Sequence, residues 1–370
     1  MTTKTHVERV YNFSAGPAVL PLPVLEQVQQ ELLALPGCGA SILEISHRSK
    51  QFVAILEDAE QRLRQLLSIP SHYHVLFLQG GSRLQFSMVP MNLLRGRNLP
   101  ARYILTGSWG RKAYEEAVRE GTALVAWDGG STGYDRVPAW QQVSIPPETA
   151  YVHITSNETI QGVQFPDHPP AEWPVVVCDA SSDFLSRPIP VDRYGLIYAC
   201  AQKNAGPAGV TIVLIRDDLV QKSPDDLAGY LSYRNHAQEK SLFNTPATFA
   251  IYIVGLVAKW LQEEIGGLEK MHQINREKAA LLYRVLDESN GFYRGHAEPS
   301  CRSLMNVTFR LPDETLEKQF LTQAEREGLT SLKGHRSVGG IRASIYNAMP
   351  REGVVALAEF MSDFASRHAS

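Results

Sequence analysis

Leu196-Ile-Tyr-Ala-Cys-Ala-Gln-Lys203-Asn-Ala-Gly-Pro-Ala-Gly209-Val-Thr-Ile-Val-Leu-Ile215 holds two apolar runs, Leu196–Ala201 and Val210–Ile215, on either side of a glycine-and-proline turn. The gap is too short for a helical crossover, so the two runs are expected to lie side by side as antiparallel strands. Lys203 stands where the first run ends. A lysine leaning into solvent at a strand end is ordinary. A lysine sheltered from water can offer a neutral amine, which attacks carbonyls.

Asp179 closes the preceding apolar run, Val175-Val-Val-Cys-Asp179. A lysine that bonds to an aldehyde and an aspartate that meets a pyridinium nitrogen are the two groups that pyridoxal phosphate (PLP) requires of a protein. Further upstream, Val75–Leu78, Tyr103–Leu105, Ala123–Trp127 and Tyr151–Ile154 read as strands, and Gln85–Leu94 and Arg111–Glu120 between them as helices. That alternation predicts a mostly parallel sheet covered on both faces. Before it, Pro23–Leu33 has helical spacing with Pro23 suited to the first position. Lys50–Leu67 places Phe52, Ile55, Leu56, Ala59, Leu63, Leu66 and Leu67 on one helical face. A helix over Thr248–Glu264 is expected to stop at Gly266-Gly267, with another over Leu268–Leu286. Strand, helix, strand and helix follow at Leu304–Phe309, Glu314–Glu327, Ile341–Ile345 and Glu352–Arg367, which suggests a smaller α/β domain. A chain of 370 residues is long for one core, and two domains are expected.

A net charge of −3 gives no global field for nucleic acid or an acidic membrane, so an anionic substrate must be met by a local cation cluster. Cys38, Cys178, Cys200 and Cys301 lack metal-type spacing and read as reduced thiols. The first nine residues have no apolar stretch of the signal-peptide kind. Thr248–Leu261, the most apolar helical segment, is too short to span a bilayer and contains Lys259. A soluble, cytoplasmic protein is expected.

Gln79-Gly-Gly-Ser82-Arg83 follows a strand and opens a helix, the arrangement of a phosphate cradle. It has neither P-loop nor dinucleotide spacing, and a lone Gly-Gly turn is also an ordinary structural feature. Trp109 opens another helix after a strand, either as plain core or as a platform for a flat ring. Asn157-Glu-Thr159 follows a third strand end and reads equally as a capped turn. Ser82, Trp109, Thr159 and Asp179 all lie just past apolar runs, where ligands bind in parallel sheets. Of the cations, His47-Arg48 and His335-Arg336 lie in Gly/Ser-rich segments, while Arg342 lies inside an apolar run and there requires an anionic partner such as a carboxylate.

From Tyr11 to about His368 the chain resembles the phosphoserine aminotransferases of serine biosynthesis, which are fold-type I PLP enzymes. The resemblance rests on Asn12-Phe-Ser-Ala-Gly-Pro-Ala, Ser46-His-Arg48, Gln85-Phe-Ser-Met-Val-Pro-Met-Asn-Leu-Leu94, Ser156-Asn-Glu-Thr159, Leu185-Ser-Arg-Pro188, Ala201-Gln-Lys203-Asn-Ala-Gly-Pro207, Phe243-Asn-Thr-Pro246, Lys333-Gly-His-Arg336 and Ile341-Arg-Ala-Ser-Ile-Tyr-Asn-Ala-Met-Pro350. It implies a large domain over residues 12–264 with a mostly parallel seven-stranded sheet. A small C-terminal domain follows over 265–370, with the N-terminal segment 1–20 packed near it. It implies Lys203 as the catalytic lysine, Asp179 as partner of the ring nitrogen, and Trp109 as the stacking aromatic. Thr159 would contact the cofactor, and Ser82, Arg83 and Gln202 its phosphate, with Asn244 and Thr245 reaching the cofactor phosphate of a neighbouring subunit in a homodimer with shared active sites. His47, Arg48, Arg83, His335 and Arg336 would form the substrate-phosphate cluster and Arg342 the carboxylate clamp, with no metal. Ala15, Ser82 and Ala180 depart from the residues common in relatives.

The activity so implied is transamination between L-glutamate and a phosphorylated 2-oxo acid, 3-phosphohydroxypyruvate. The phosphorylated hydroxythreonine precursor of vitamin B6 fits the same cations. Three rivals stand beside it. One is another aminotransferase. The second is a cysteine desulfurase, for which Cys38 and Cys301 are the candidate nucleophiles. The third is a catalytically silent protein that keeps PLP or phosphate as a structural ligand.

Overall fold

In the computed structural model, which describes residues 9–368, the strands expected between Val75 and Ile215 join one seven-stranded sheet. They are β1 (Tyr73–Leu78), β2 (Ala101–Leu105), β3 (Ala123–Asp128), β4 (Tyr151–Thr155), β5 (Val176–Asp179), β6 (Leu196–Cys200) and β7 (Thr211–Arg216). Their order across the sheet is β1-β7-β6-β5-β4-β2-β3. The expected antiparallel pair is there: Thr211 of β7 lies opposite Cys200 of β6, and on its other side opposite Leu78 of β1. The β2–β3, β2–β4, β4–β5 and β5–β6 pairs are parallel. Every strand but β7 therefore points the same way, and their C-terminal ends gather at one edge.

Helices α1 (Leu22–Glu31), α2 (Lys50–Leu67), α3 (Gly81–Leu93), α4 (Ser108–Ala117) and α5 (Thr248–Trp260) enclose the sheet. Side chains alternate along each strand, so neighbours join different cores. Ile197 and Ala199 pack in the core that holds Phe52, Leu56 and Leu63 of α2 and Ile251 and Val254 of α5. Leu196 and Tyr198 pack in the core with Phe86 and Val89 of α3 and Ala113 and Ala117 of α4. On β5, Val177 belongs to this second core. Asp179, two residues on, leaves the strand on the same side, towards α3 and α4.

Three helix ends differ from expectation in informative ways. The first helix begins at Leu22, so Pro23 is its second residue; the first turn has no acceptor for that missing N–H, so proline is tolerated there too. Helix α3 begins at Gly81 rather than Gln85. Gly80 (φ 88°) turns the chain, and the polar Gly-Ser-Arg turn carries no apolar periodicity to announce a helix. The helix expected to end at Glu264 is α-helical to Trp260, then widens into a π-turn over Leu261–Ile265 before Gly266 in the left-handed region.

Three further strands, β8 (Arg294–Gly295), β9 (Asn306–Arg310) and β10 (Ile341–Ser344), form an antiparallel sheet. With α6 (Leu268–Glu288), α7 (Glu314–Arg326) and α8 (Arg351–His368) it encloses a separate core around Phe309, Phe320 and Phe360. Phe13 is buried in this core, and Tyr11–Asn12 pair in parallel with Leu329–Thr330. Residues 1–8, part of the N-terminal segment expected near the small domain, lie outside the described residues, as does most of the stretch read for a signal peptide. Lys278 of α6 is 0 % exposed. Its ammonium donates to the carbonyl oxygens of Ile345 (3.1 Å), Tyr346 (2.7 Å), Asn347 (3.4 Å) and Met349 (3.1 Å). Burial pulls its pKa down to about 7, and the four carbonyls offset the cost of enclosing a cation. The turn so fixed follows β10, the strand that carries Arg342.

Candidate active site

A cleft of about 380 Å³ opens where β1, β2, β4, β5 and β6 end. It gathers Ser82, Arg83, Trp109, Thr159, Asp179, Gln202, Lys203, His335 and Arg342 along its walls. Of the other residues singled out in the sequence, His47, Arg48, Asn244, Thr245 and Arg336 are not among its lining residues. Asn244 instead donates to Gln79 Oε1 (2.9 Å), at the base of the Gly80-Gly81 loop of its own chain.

Lys203 lies in the turn after β6, its Nζ 5.8 Å from the centre of the Trp109 ring. Gly16 lies close beside it: a Cβ there would stand 3.3 Å from Lys203 Cγ, and the backbone at φ 134° suits only glycine. Asp179 is buried, and Ser181 donates to its Oδ1 from both N (2.9 Å) and Oγ (2.5 Å). Burial raises the Asp179 pKa, and the two Ser181 bonds and the charge of Lys203 oppose that rise. The indole Nε1 of Trp109 donates to Thr159 Oγ1 (2.9 Å), which orients the ring.

Arg342 reaches the cleft from β10, more than half buried, with Nη1 donating to Thr159 O over a long 3.4 Å. Desolvation lowers its pKa, and no carboxylate acts on it among the described residues. A guanidinium in that position lacks the anion its geometry is suited to hold. His335 accepts the Ser337 N–H at Nδ1 (3.3 Å), which leaves the proton on Nε2. Burial lowers the His335 pKa, as do the charges of Arg342, Lys112 and Arg336, so four cationic or ionisable nitrogens crowd this side of the cleft.

Sequence reasoning missed Lys112, whose Nζ lies 4.2 Å from the Trp109 ring centre; its signal was its place one turn after Trp109 on the same helix. It also passed over Ser181, although a hydroxyl two residues after an aspartate is the spacing of a local side-chain turn. Glu158 was read as part of a turn, yet it is 0 % exposed and caps α4, accepting from Trp109 N (3.0 Å) and Gly110 N (2.8 Å). Burial raises its pKa to about 7 against 4.5 for a free glutamate, despite those two bonds. A carboxyl that holds its proton longer when folded stabilises the fold below pH 4.5, and that contribution is lost as pH rises towards 7. Glu158→Gln removes this titration. Thermal unfolding of the two proteins across pH 4.5–7 should show the variant gaining on the parent by roughly 1–3 kcal/mol, while a pH-independent difference would contradict the assignment.

The cleft fits PLP on its donor set. Gly81, Ser82 and Arg83 supply the free N–H groups of the first turn of α3, and no side chain stands within 4 Å of where a Gly81 Cβ would be. Thr155 Oγ1 lines the cleft, buried and without a hydrogen-bond partner among the described residues. An amine, a carboxylate and an indole ring complete the set, as the lysine and aspartate led one to expect. A desulfurase finds no support: Cys38 and Cys301 are not among the lining residues, and the one cysteine that is, Cys200, is buried.

Residues 10–357 match the family described as Aminotransferase class-V. The chain is 57% identical over 370 residues to the phosphoserine aminotransferase of Rhodopirellula baltica, covering 100% of this chain and 98% of that one. Among solved structures it resembles the phosphoserine aminotransferase from Bacillus circulans subsp. alkalophilus, with 49% identity, a TM-score of 0.95, and 98% and 99% of the two chains covered. It also resembles the PLP-bound phosphoserine aminotransferase from Trichomonas vaginalis, with 38% identity, a TM-score of 0.90, and 95% and 99% covered.

Proposed function

The chain belongs to the class-V aminotransferase family, and from that premise we propose that it is a phosphoserine aminotransferase, which moves the amino group of L-glutamate to 3-phosphohydroxypyruvate and releases O-phospho-L-serine and 2-oxoglutarate. The observation that carries the reading is Arg342, a guanidinium without a carboxylate partner, in one cleft with Lys203 and Asp179. PLP, when bound, supplies an aldehyde for an amine to join and a ring that takes up the electrons left when a proton leaves carbon.

The chain's own residues do the rest. Lys203 Nζ would hold the cofactor and, once free, would serve as the base for the proton on the substrate Cα. The Asp179 carboxylate would accept a hydrogen bond from the ring nitrogen and favour its protonated form. The amides of Gly81, Ser82 and Arg83, with Gln202, would hold the cofactor phosphate, and Trp109, its indole fixed by Thr159, would hold the ring. Arg342 takes the α-carboxylate bidentately. His335 and Arg336 take the substrate's phosphate or, on alternate turnovers, the side-chain carboxylate of glutamate.

A homodimer with shared active sites completes the reading. His47, Arg48, Asn244 and Thr245 are not among the residues that line the cleft of their own chain, and Leu33, Leu43 and Phe243 are exposed apolar side chains suited to an interface. The domains divide at the π-turn and Gly266-Gly267, giving 12–264 and 265–370. Among the described residues no helix is long and apolar enough to cross a membrane, and the enzyme works in the cytoplasm.

The test is steady-state turnover with 3-phosphohydroxypyruvate against hydroxypyruvate. A dianion held by charge-assisted bonds of roughly 1.5–3 kcal/mol each should favour the phosphorylated acid by on the order of 10²-fold or more in kcat/KM. Equal efficiency would remove phosphate recognition from the reading.

A further inference from the structure

Ser82 needs only its main chain to meet a phosphate. Its hydroxyl is engaged elsewhere. Ser82 Oγ lies 2.5 Å from Ser181 Oγ, and Ser181 Oγ lies 2.5 Å from Asp179 Oδ1. The inventory of donors sets the direction of both bonds. A carboxylate only accepts, so the single hydroxyl proton of Ser181 points at Asp179. The Ser181 oxygen must then accept, and it takes the Ser82 proton along with a longer contact from Cys200 N at 3.4 Å. Ser181 N also donates to Oδ1 (2.9 Å). Both Ser181 donors thus converge on one oxygen of Asp179. The other, Oδ2, has no donor among the described residues, in a carboxylate that lines the cleft.

We propose that Ser82 is a positioning residue that acts through Ser181: its hydroxyl locks the Asp179 carboxylate so that Oδ2 is held for the ring nitrogen of the cofactor. The chain Ser82–Ser181–Asp179 then ties the ring-nitrogen contact to the same turn of α3 that grips the phosphate, and the two ends of PLP are held by one hydrogen-bonded unit. Successive bonds of this kind polarise one another, so the outermost hydroxyl reaches the carboxylate without touching it. The departure at position 82 noted in the sequence thereby acquires a function that alanine or glycine cannot supply.

The inference rests on the PLP reading of the cleft, and the experiment separates the two. Apo protein is titrated with PLP and with pyridoxal, which lacks the phosphate, and binding is followed by tryptophan fluorescence for the parent, Ser82→Ala, Ser82→Thr, Ser181→Ala and the double alanine variant. Ser82→Ala should weaken both ligands by about fivefold, the value of one hydrogen bond. Ser82→Thr, which keeps the hydroxyl, should bind like the parent. In the Ser181→Ala background the change at 82 should have no further effect. A loss confined to PLP would mean that Ser82 acts on the phosphate directly and would overturn the proposal. So would additive effects of the two alanines, or unaltered binding of both ligands by Ser82→Ala. Failure of the parent itself to bind PLP would overturn the cofactor reading instead.

Discussion

Lys203→Ala should lose turnover by on the order of 10⁴-fold or more in kcat, because one nitrogen serves as both nucleophile and base. Nothing else in the cleft can take over. Lys112 also stands against the Trp109 ring, but it is carried on α4 rather than in the turn after β6, and it is not among the residues that line the cleft. Lys203→Arg should not restore activity, since a guanidinium stays protonated and neither attacks an aldehyde nor accepts a proton. The measurement is the half-reaction with L-glutamate alone, read from the visible spectrum of the PLP-loaded protein. Bleaching at the parent's rate in Lys203→Ala would refute the assignment. The effect should be confined to chemistry. Lys203 sits in a turn that Asn204 secures on its own, donating to Ser182 O and accepting from Asn347 N, so the fold keeps its anchor when the amine is gone.

The Lys203 turn also shows how much of this site the sequence carries. Strand ends are local signals: apolar runs closed by Gly, Asp or Asn mark where β1, β2, β4, β5 and β6 stop, and in a parallel sheet those ends must converge. Lys203, Asp179, Trp109 and Ser82, each just past such a run, all line the cleft at that edge. The short Gln202–Gly209 link likewise announced the antiparallel turn at β7. What stayed hidden depends on partners distant in the chain. Trp109 and Thr159, 50 residues apart, are joined by one hydrogen bond. Glu158 caps α4 across 48 residues. Ser82 and Ser181 meet across 99. No periodicity or spacing encodes such contacts, because they exist only once the sheet order is set. The start of α3 was missed for a different reason: its first turn, Gly81-Ser-Arg83, carries no apolar residue and so lacks the pattern by which helices are recognised.

Arg342 should behave in opposite ways in activity and stability. Its guanidinium reaches the cleft from β10 without a carboxylate partner, and desolvation works against its charge. In the free protein it is a cost, repaid only when a substrate carboxylate arrives. Arg342→Met keeps an unbranched, apolar side chain at the site and removes the charge. Losing a bidentate, partly buried ion pair to substrate should cost about 3–4 kcal/mol, on the order of 10²–10³-fold in kcat/KM for both glutamate and the phosphorylated keto acid. Both substrates carry the α-carboxylate, so both should suffer alike, whereas a change at the His335-Arg336 side should separate them. Arg342→Lys should recover little, since a point charge cannot reproduce the fork. In the same protein without substrate, removing an uncompensated buried charge should raise stability, by about 1 kcal/mol or on the order of 1–2 °C in Tm. Differential scanning calorimetry of the two apo proteins checks this. A variant that lost activity and also melted earlier would mean that Arg342 holds β10 in place. It would then no longer stand as a clamp left unpaired for the substrate.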